Sequence, residues 1–194
     1  MPATRPIRIG NVSGATGDAS NAMARMVSCG DVDVITGDWL SEMNIAWNAI
    51  IKADNPDLGY EGGFLEQLRE SIDGIVSKKI KVITNAGALN TLSLSRKVRE
   101  LCQEKGYTQL KVASVIGDYI TNQVKGGTLA QTLKHLDNPA YTLQDWERDL
   151  SPSCAVAYIG AWGIVEALNR GADIVICGRV TDASPVVCYT NLHH

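Results

Sequence analysis

Short runs of apolar, often β-branched residues alternate along the chain with polar turns and with stretches of helical periodicity. Residues 7–9 run into a glycine-rich turn over 10–18 and a helical pattern over 19–28. Residues 32–36 lead into Gly37 and Asp38 and a helix over 40–52, and residues 80–84 lead into Asn85-Ala86-Gly87 and a helix over 91–105. Residues 110–116 end at Gly117 and Asp118, and residues 172–177 end at Gly178 and Arg179, with Thr181 and Asp182 at a helix start. Strands alternating with helices predict βαβ units and a mainly parallel sheet. The apolar character of the strands suits a sheet covered on both faces. The expected fold is α/β: a single domain over 1–194 with a mainly parallel, Rossmann-like sheet of about five strands flanked by helices.

Three segments depart from this alternation. Residues 63–79 place Phe64, Leu65, Leu68, Ile72, Ile75 and Val76 at helical spacing, which predicts a helix packed on the sheet before the third strand. Residues 119–152 form an insertion between the fourth and fifth strands. It carries a helical pattern over 122–136 and turn signals at Gly126-Gly127 and Asn138-Pro139, and it is expected to cover the sheet edge or, as a lid, the site. The longest apolar run, 154–165, is too short to cross a bilayer, which takes ~20 residues, and reads as a buried helix with Tyr158 and Trp162 paired on one face.

Charge and composition narrow the function classes. Eighteen basic against 21 acidic residues give a net charge of −3, against a nucleic-acid surface, where a basic excess is the rule. No targeting or membrane-spanning pattern is visible, so a cytoplasmic protein without membrane or nucleic-acid partners is expected. The five cysteines (Cys29, Cys102, Cys154, Cys177, Cys188) contain no C-x-x-C pair and read as small buried hydrophobes in a reducing compartment. The tryptophans Trp39, Trp47, Trp146 and Trp162 read as core or rim residues, with Trp39 placed to stack on a ligand.

Ligands of open α/β sheets bind at the carboxyl ends of the strands. Here these ends carry Asn11, Ser13, Gly14, Thr16, Gly17 and Asp18; Asp38 and Glu42; Asn85, Gly87 and Asn90; Asp118; and Arg179, Thr181 and Asp182. Turn and cap chemistry explains part of the set, but its recurrence at five strands points to a site. The Gly10-x-x-x-Gly14-x-x-Gly17 loop offers backbone amides to an anion such as a phosphate or carboxylate. It lacks the G-x-G-x-x-G spacing of dinucleotide-binding loops and the lysine of a phosphate-binding P-loop. Arg179 is the basic residue of the set, and its planar guanidinium suits bidentate capture of a carboxylate. A structural pairing with Asp182 or Asp38 is the competing reading. Asp38 and Asp118 are candidate bases, since a carboxylate among apolar neighbours has a raised pKa. The acidic set Asp18, Asp38, Glu42, Asp118 and Asp182 would admit a divalent cation if it converged, although no cofactor or metal is assigned. Tyr107-x-x-x-Lys111 imitates the catalytic pair of short-chain dehydrogenases. Its placement at a helix end and a strand start puts neither residue on a catalytic helix, so an NAD(P)-dependent oxidoreductase is the weakest of the alternatives.

The blocks IRIGNVSGATG (7–17), DVDVITGDW (31–39), VITNAGALN (82–90), 115–118, YIGAW (158–162) and GADIVICGRVTD (171–182) resemble the acyclic terpene utilisation AtuA family. They occur in family order across nearly the whole chain. The resemblance implies a place in the degradation of acyclic terpenes and branched acids as CoA thioesters, and a lyase or hydratase role on a 3-hydroxy-3-alkylglutaryl-CoA-like substrate. Members of the family continue well beyond the GRVTD block, so the resemblance leaves two expectations: a short version of the family domain, or the N-terminal part of a longer one.

The resulting expectation is an enzyme acting on a small carboxylate or acyl-CoA thioester by acid/base chemistry. Asp38, Asp118, Arg179 and Asp182 are its catalytic set. Asn11, Ser13, Gly14, Gly17, Asp18, Asn85, Gly87 and Asn90 are its ligand-binding set. A non-catalytic family member that binds a metabolite or a protein is the alternative. The apolar C-terminal segment 183–192 predicts a homodimer or larger assembly.

Overall fold

Alternating side chains on five short strands sort the core into two layers. The computed structural model describes residues 5–127, 129, 131–145 and 152–190. The strands are β1 (Ile9–Asn11), β2 (Val34–Gly37), β3 (Lys81–Thr84), β4 (Val112–Val115) and β5 (Ile174–Cys177). The helices are α1 (Ala22–Cys29), α2 (Glu42–Asp54), α3 (Gly62–Lys78), α4 (Thr91–Glu104), α5 (Thr121–Lys125), α6 (Trp162–Asn169) and α7 (Ser184–Thr190). All strand pairs are parallel, in the order β1-β2-β3-β5-β4, so the expected α/β fold with a five-stranded parallel sheet is the fold observed. Ile35, Val82, Ile174 and Ile176 face α1, α3 and α4, whereas Val34, Ile83, Val175 and Cys177 face α6 and α7. Side chains i and i+2 of a strand share a face, so each strand feeds both layers.

The strand order creates the crevice. β3 and β5 are neighbours, yet the helix after β3, α4, lies on one face of the sheet and the helix after β5, α7, lies on the other. Chains that leave adjacent strands in opposite directions open a cleft at their carboxyl ends. Residues 85–87 and 178–179 flank that cleft.

Several sequence expectations shift. The helix expected from residue 19 starts at Ala22, because Gln67 of α3 accepts a hydrogen bond from Met23 N (3.0 Å) and caps it from outside. The apolar run 154–165 is not one buried helix. Residues 155–160 are an extended strap, bridged by Tyr119 to Val156 and by Ile159 to Val180, and only Trp162 onward is helical. Tyr158 and Trp162 are therefore not a packed helical pair, and Trp162 is 80% exposed. In the 119–152 insertion the described helix is the short α5, followed by an exposed turn region with a bridge from Lys134 to Thr142. The strap that follows the insertion lies over Arg179 through Tyr158, and Tyr119 at the start of the insertion packs beside Leu40, Ala88 and Leu89. The C-terminal segment is divided: within α7 Cys188 is fully buried in the core, and Val186 and Val187 are about half exposed. Trp146 and residues 191–194, including His193 and His194, lie outside the described residues. Cys102, Cys177 and Cys188 are buried as expected, whereas Cys29 is exposed. No helix among the described residues is long and apolar enough to cross a membrane.

Candidate functional site

The centre of the strand-end cluster is Asn85, fully buried at the end of β3. Its Oδ1 accepts from Trp39 N (2.7 Å), and its Nδ2 donates to Asp38 Oδ1 (2.6 Å). Leu40 N adds a long contact to the same oxygen (3.4 Å). Asp38 is half-buried, and among the described residues no hydrogen bond reaches its other oxygen, Oδ2. An amide that uses both its donor and its acceptor fixes the carboxylate's plane and leaves one oxygen to act.

Asp118, at the end of β4, is 2% exposed and accepts from Arg179 N (2.7 Å), which clips the β4 end to the β5 end. Burial raises its pKa above the ordinary carboxylate value, and the amides of Arg179, Asp118 and Tyr119 pull against that rise. Gly178 makes this clip possible. A Cβ there would stand 2.1 Å from Asp118 Oδ2 and 2.7 Å from Ala88 O. Gly87 is confined in the same way: its N donates to Cys177 O (3.0 Å), and a Cβ would meet that oxygen at 2.5 Å. Gly87 therefore stitches β3 to β5. Asn90 sits away from the cleft and ties the chain after α2 by donating to Pro56 O (2.9 Å) and Leu58 O (2.7 Å).

Arg179 departs from the expectation of an open clamp, because its side chain is 4% exposed. Nη1 donates to Leu40 O (2.8 Å) and Nη2 pairs with Asp182 Oδ1 (2.9 Å), with Glu42 Oε1 at 3.8 Å. The Tyr158 ring lies over the guanidinium, 4.0 Å from the carbon Cζ to the ring centroid. The Tyr158 hydroxyl donates to Glu42 Oε1. That bond, the residue's own backbone amide and the nearby guanidinium hold Glu42 below the usual carboxylate range. The structural pairing that the sequence allowed, Arg179 with Asp182, is present, and no ion pair with Asp38 forms. Arg179→Lys is accordingly expected to lower stability rather than leave it untouched. It loses the planar fork and the stacked face, costs about 2 kcal/mol, and lowers the melting midpoint by roughly 4–8 °C by calorimetry.

The glycine loop carries its own anion. Gly14 N and Ala15 N donate to Asp18 Oδ2 at 2.7 and 3.1 Å, and Ser13 Oγ approaches the same oxygen at 3.4 Å. The amides read as a cradle for an external anion thus already hold a carboxylate of the chain. Asn11 Nδ2 donates to Ser13 O (2.8 Å), and Gly17 adopts the left-handed region that glycine tolerates (φ 96°). The two amide bonds hold Asp18 below its ordinary pKa. A group with a depressed folded pKa keeps its stabilising contact above the unfolded value and loses it as pH falls through the folded one. In an NMR titration the Gly14 and Ala15 amide resonances should therefore move together, with a midpoint below the ordinary aspartate value of 3.8. Independent movement, or a midpoint at or above that value, would contradict the contact.

Four features escaped the sequence. Glu61 is 7% exposed and accepts from Thr16 Oγ1 (2.9 Å) and Asn48 Nδ2 (2.6 Å). Asn44 bonds Thr16 Oγ1 (2.5 Å) and Trp39 O (2.7 Å), so the glycine loop is tied to α2 and α3. Trp39 is 2% exposed and packs edge-on against Phe64 (6.4 Å, 82°), which rules it out as a stacking surface in this conformation. Tyr158 was legible only as a helical packing residue; the β-like run of residues 155–159 ahead of Gly160 is the signal for the strap.

The five acidic residues do not converge. Asp18 is held by its loop, Asp38 by Asn85, Asp118 by Arg179 N, and Glu42 and Asp182 lie against the Arg179 side chain. Among the described residues no group of three or more potential ligands could hold a metal ion. Tyr107 donates to Asp73 Oδ1 (2.9 Å), and this bond raises its pKa, the opposite of what a catalytic phenolate needs. Burial likewise pushes the Cys177 thiol far above its ordinary range, against nucleophilic use. An open cavity of about 430 Å³ runs along α1 outside β1, and of the candidate residues only Asn11 lines it.

Residues 7–194 match the family model described as acyclic terpene utilisation family protein AtuA. No curated protein and no solved structure matches the chain.

Proposed function

The chain belongs to the acyclic terpene utilisation AtuA family, and on that premise we propose that it acts on a small carboxylate or acyl-CoA thioester by acid/base chemistry of the lyase or hydratase type, in terpenoid or branched-acid metabolism. The observation that carries this reading is the arrangement at the crevice between β3 and β5. Asn85 anchors one oxygen of Asp38 and, among the described residues, the other has no hydrogen-bond partner, and Arg179 reaches the same loop through Leu40 O.

In this reading Asp38 Oδ2 removes the proton from the carbon next to the thioester carbonyl, and the electron pair of that C–H bond passes into the carbonyl. In elimination that electron pair returns to form the carbon–carbon double bond as the bond to a β-hydroxyl breaks, and the hydroxyl leaves as water with the proton that Asp38 removed; hydration runs the same steps in reverse. Arg179 anchors a carboxylate of the substrate. Asp118 is the clip that holds the β4 and β5 ends together, and burial raises its pKa above the ordinary carboxylate value. A non-catalytic metabolite binder is the second reading, and the observation in its favour is the cover over Arg179.

The test is solvent exchange. Short carboxyacyl-CoA thioesters are incubated with the protein in D₂O, and loss of the α-proton signal is followed by NMR. Enzyme-dependent exchange is expected. Binding of the thioesters without exchange would favour the non-catalytic reading.

A further inference from the structure

Arg179 is buried beneath groups that are themselves exposed. Glu42 and Asp182 have 79% and 71% of their side-chain surface in water, and Tyr158 is 49% exposed, yet the guanidinium under them is 4% exposed. The guanidinium's hydrogen bonds are unevenly used. Nη1 is taken from one side by Leu40 O. Nε and Nη2 form the side edge, the two-pronged edge that accepts both oxygens of one carboxylate. On that edge Nη2 has Asp182 at 2.9 Å and Glu42 only at 3.8 Å, and Nε is buried with no partner among the described residues. A buried N–H without an acceptor is costly, and native structures rarely leave one.

The edge suited to a two-oxygen acceptor is therefore present and half-filled. The groups that half-fill it are held by contacts of the kind that water weakens: exposed ion pairs contribute little. Tyr158 sits on the strap, whose backbone is paired to Arg179 O through Ile159 N (3.3 Å), so its ring stays in place while its hydroxyl holds Glu42 beside the guanidinium.

We propose that Glu42, latched by the Tyr158 hydroxyl, is a second internal carboxylate beside the Arg179 edge that Asp182 half-fills, and that a ligand carboxylate displaces Glu42 by binding Nε and sharing Nη2 with Asp182. This rests on the reading above that Arg179 anchors a carboxylate. The exchange replaces a neighbouring carboxylate charge with a hydrogen-bonded one. Glu42 swings to water, where its charge is solvated, and the ligand supplies the second oxygen that Nε lacks. The chain thereby keeps negative charge beside its buried cation when empty and admits only ligands that outcompete a tethered carboxylate.

The experiment uses the whole chain, with acetate as probe at constant ionic strength. Binding is read from the Arg179 Nε–H resonance in arginine-labelled protein. The reactivity of Arg179 toward phenylglyoxal is read in parallel by peptide mass spectrometry. Glu42→Gln removes the internal charge, and Tyr158→Phe keeps the ring over the guanidinium while removing the bond to Glu42. Both should bind acetate at least threefold more tightly than the parent, and both should raise Arg179 modification several-fold. Unchanged or weaker acetate binding in both variants, with the parent still binding, overturns the latch and leaves the Arg179 anchor standing. No acetate response at Nε in the parent or either variant overturns the anchor and the latch together.

Discussion

Gly178→Ala should destabilise the fold by about 3 kcal/mol, the upper end of the usual cost of overpacking, and lower the melting midpoint by roughly 6–12 °C. The added Cβ meets Asp118 Oδ2 at 2.1 Å and Ala88 O at 2.7 Å. Neither atom can retreat cheaply. Asp118 is held by Arg179 N at 2.7 Å, and Ala88 already stands in the left-handed region (φ 44°), supported by its N–H bond to Asn85 O (3.1 Å). Relieving the contact means breaking the clip between the β4 and β5 ends or moving the loop that carries Asn85. Gly14→Ala is the internal control. A Cβ at Gly14 meets nothing within 4 Å, and its φ is not positive, so this variant should stay within about 0.5 kcal/mol of the parent. Comparable melting curves for the two variants would show that the close approach at Gly178 is absent in solution.

Asp38→Asn should lower α-proton exchange by about 100-fold or more and leave the fold near its parental stability, the signature of a lost general base. The amide oxygen that replaces Oδ1 can still accept from Asn85 Nδ2, so that bond survives while the proton acceptor at Oδ2 does not. Asn85→Ala makes the contrast. It removes the acceptor of Trp39 N and the donor to Asp38 from a fully buried position, so stability should fall by about 1–3 kcal/mol along with activity. If Asp38→Asn instead melts early and retains exchange, Asp38 belongs to the framework and the base lies elsewhere.

The separation between these two predictions follows how the sequence could and could not be read. The order of strands and helices is written in local periodicity, so β1 to β5 and α1 to α4 fall within a few residues of the positions expected from apolar spacing and turn residues. The strand ends as the place where polar residues gather were legible for the same reason: glycine, asparagine and aspartate follow each apolar run. A continuous apolar run fits either a buried helix or a strand, so at residues 155–160 only the β-like stretch ahead of Gly160 points to the strap that forms.

The sequence by itself determined the α/β class, the parallel sheet, the family and the residues from which a site would be drawn, because each of these rests on patterns within a few residues or on blocks of identity. Only the tertiary structure decided what those residues do. Insertion of β5 between β3 and β4 sets Arg179 N on Asp118 and its guanidinium on Leu40 O, 139 residues away in sequence. Folding turned Asp18 back onto its own loop, left Asp38 with one oxygen that no described residue hydrogen-bonds, and laid Tyr158 over Arg179. Burial and hydrogen-bond partners depend on which distant segments meet. A local pattern can name a polar side chain as a candidate, but its free atoms are counted only after the chain has closed around it.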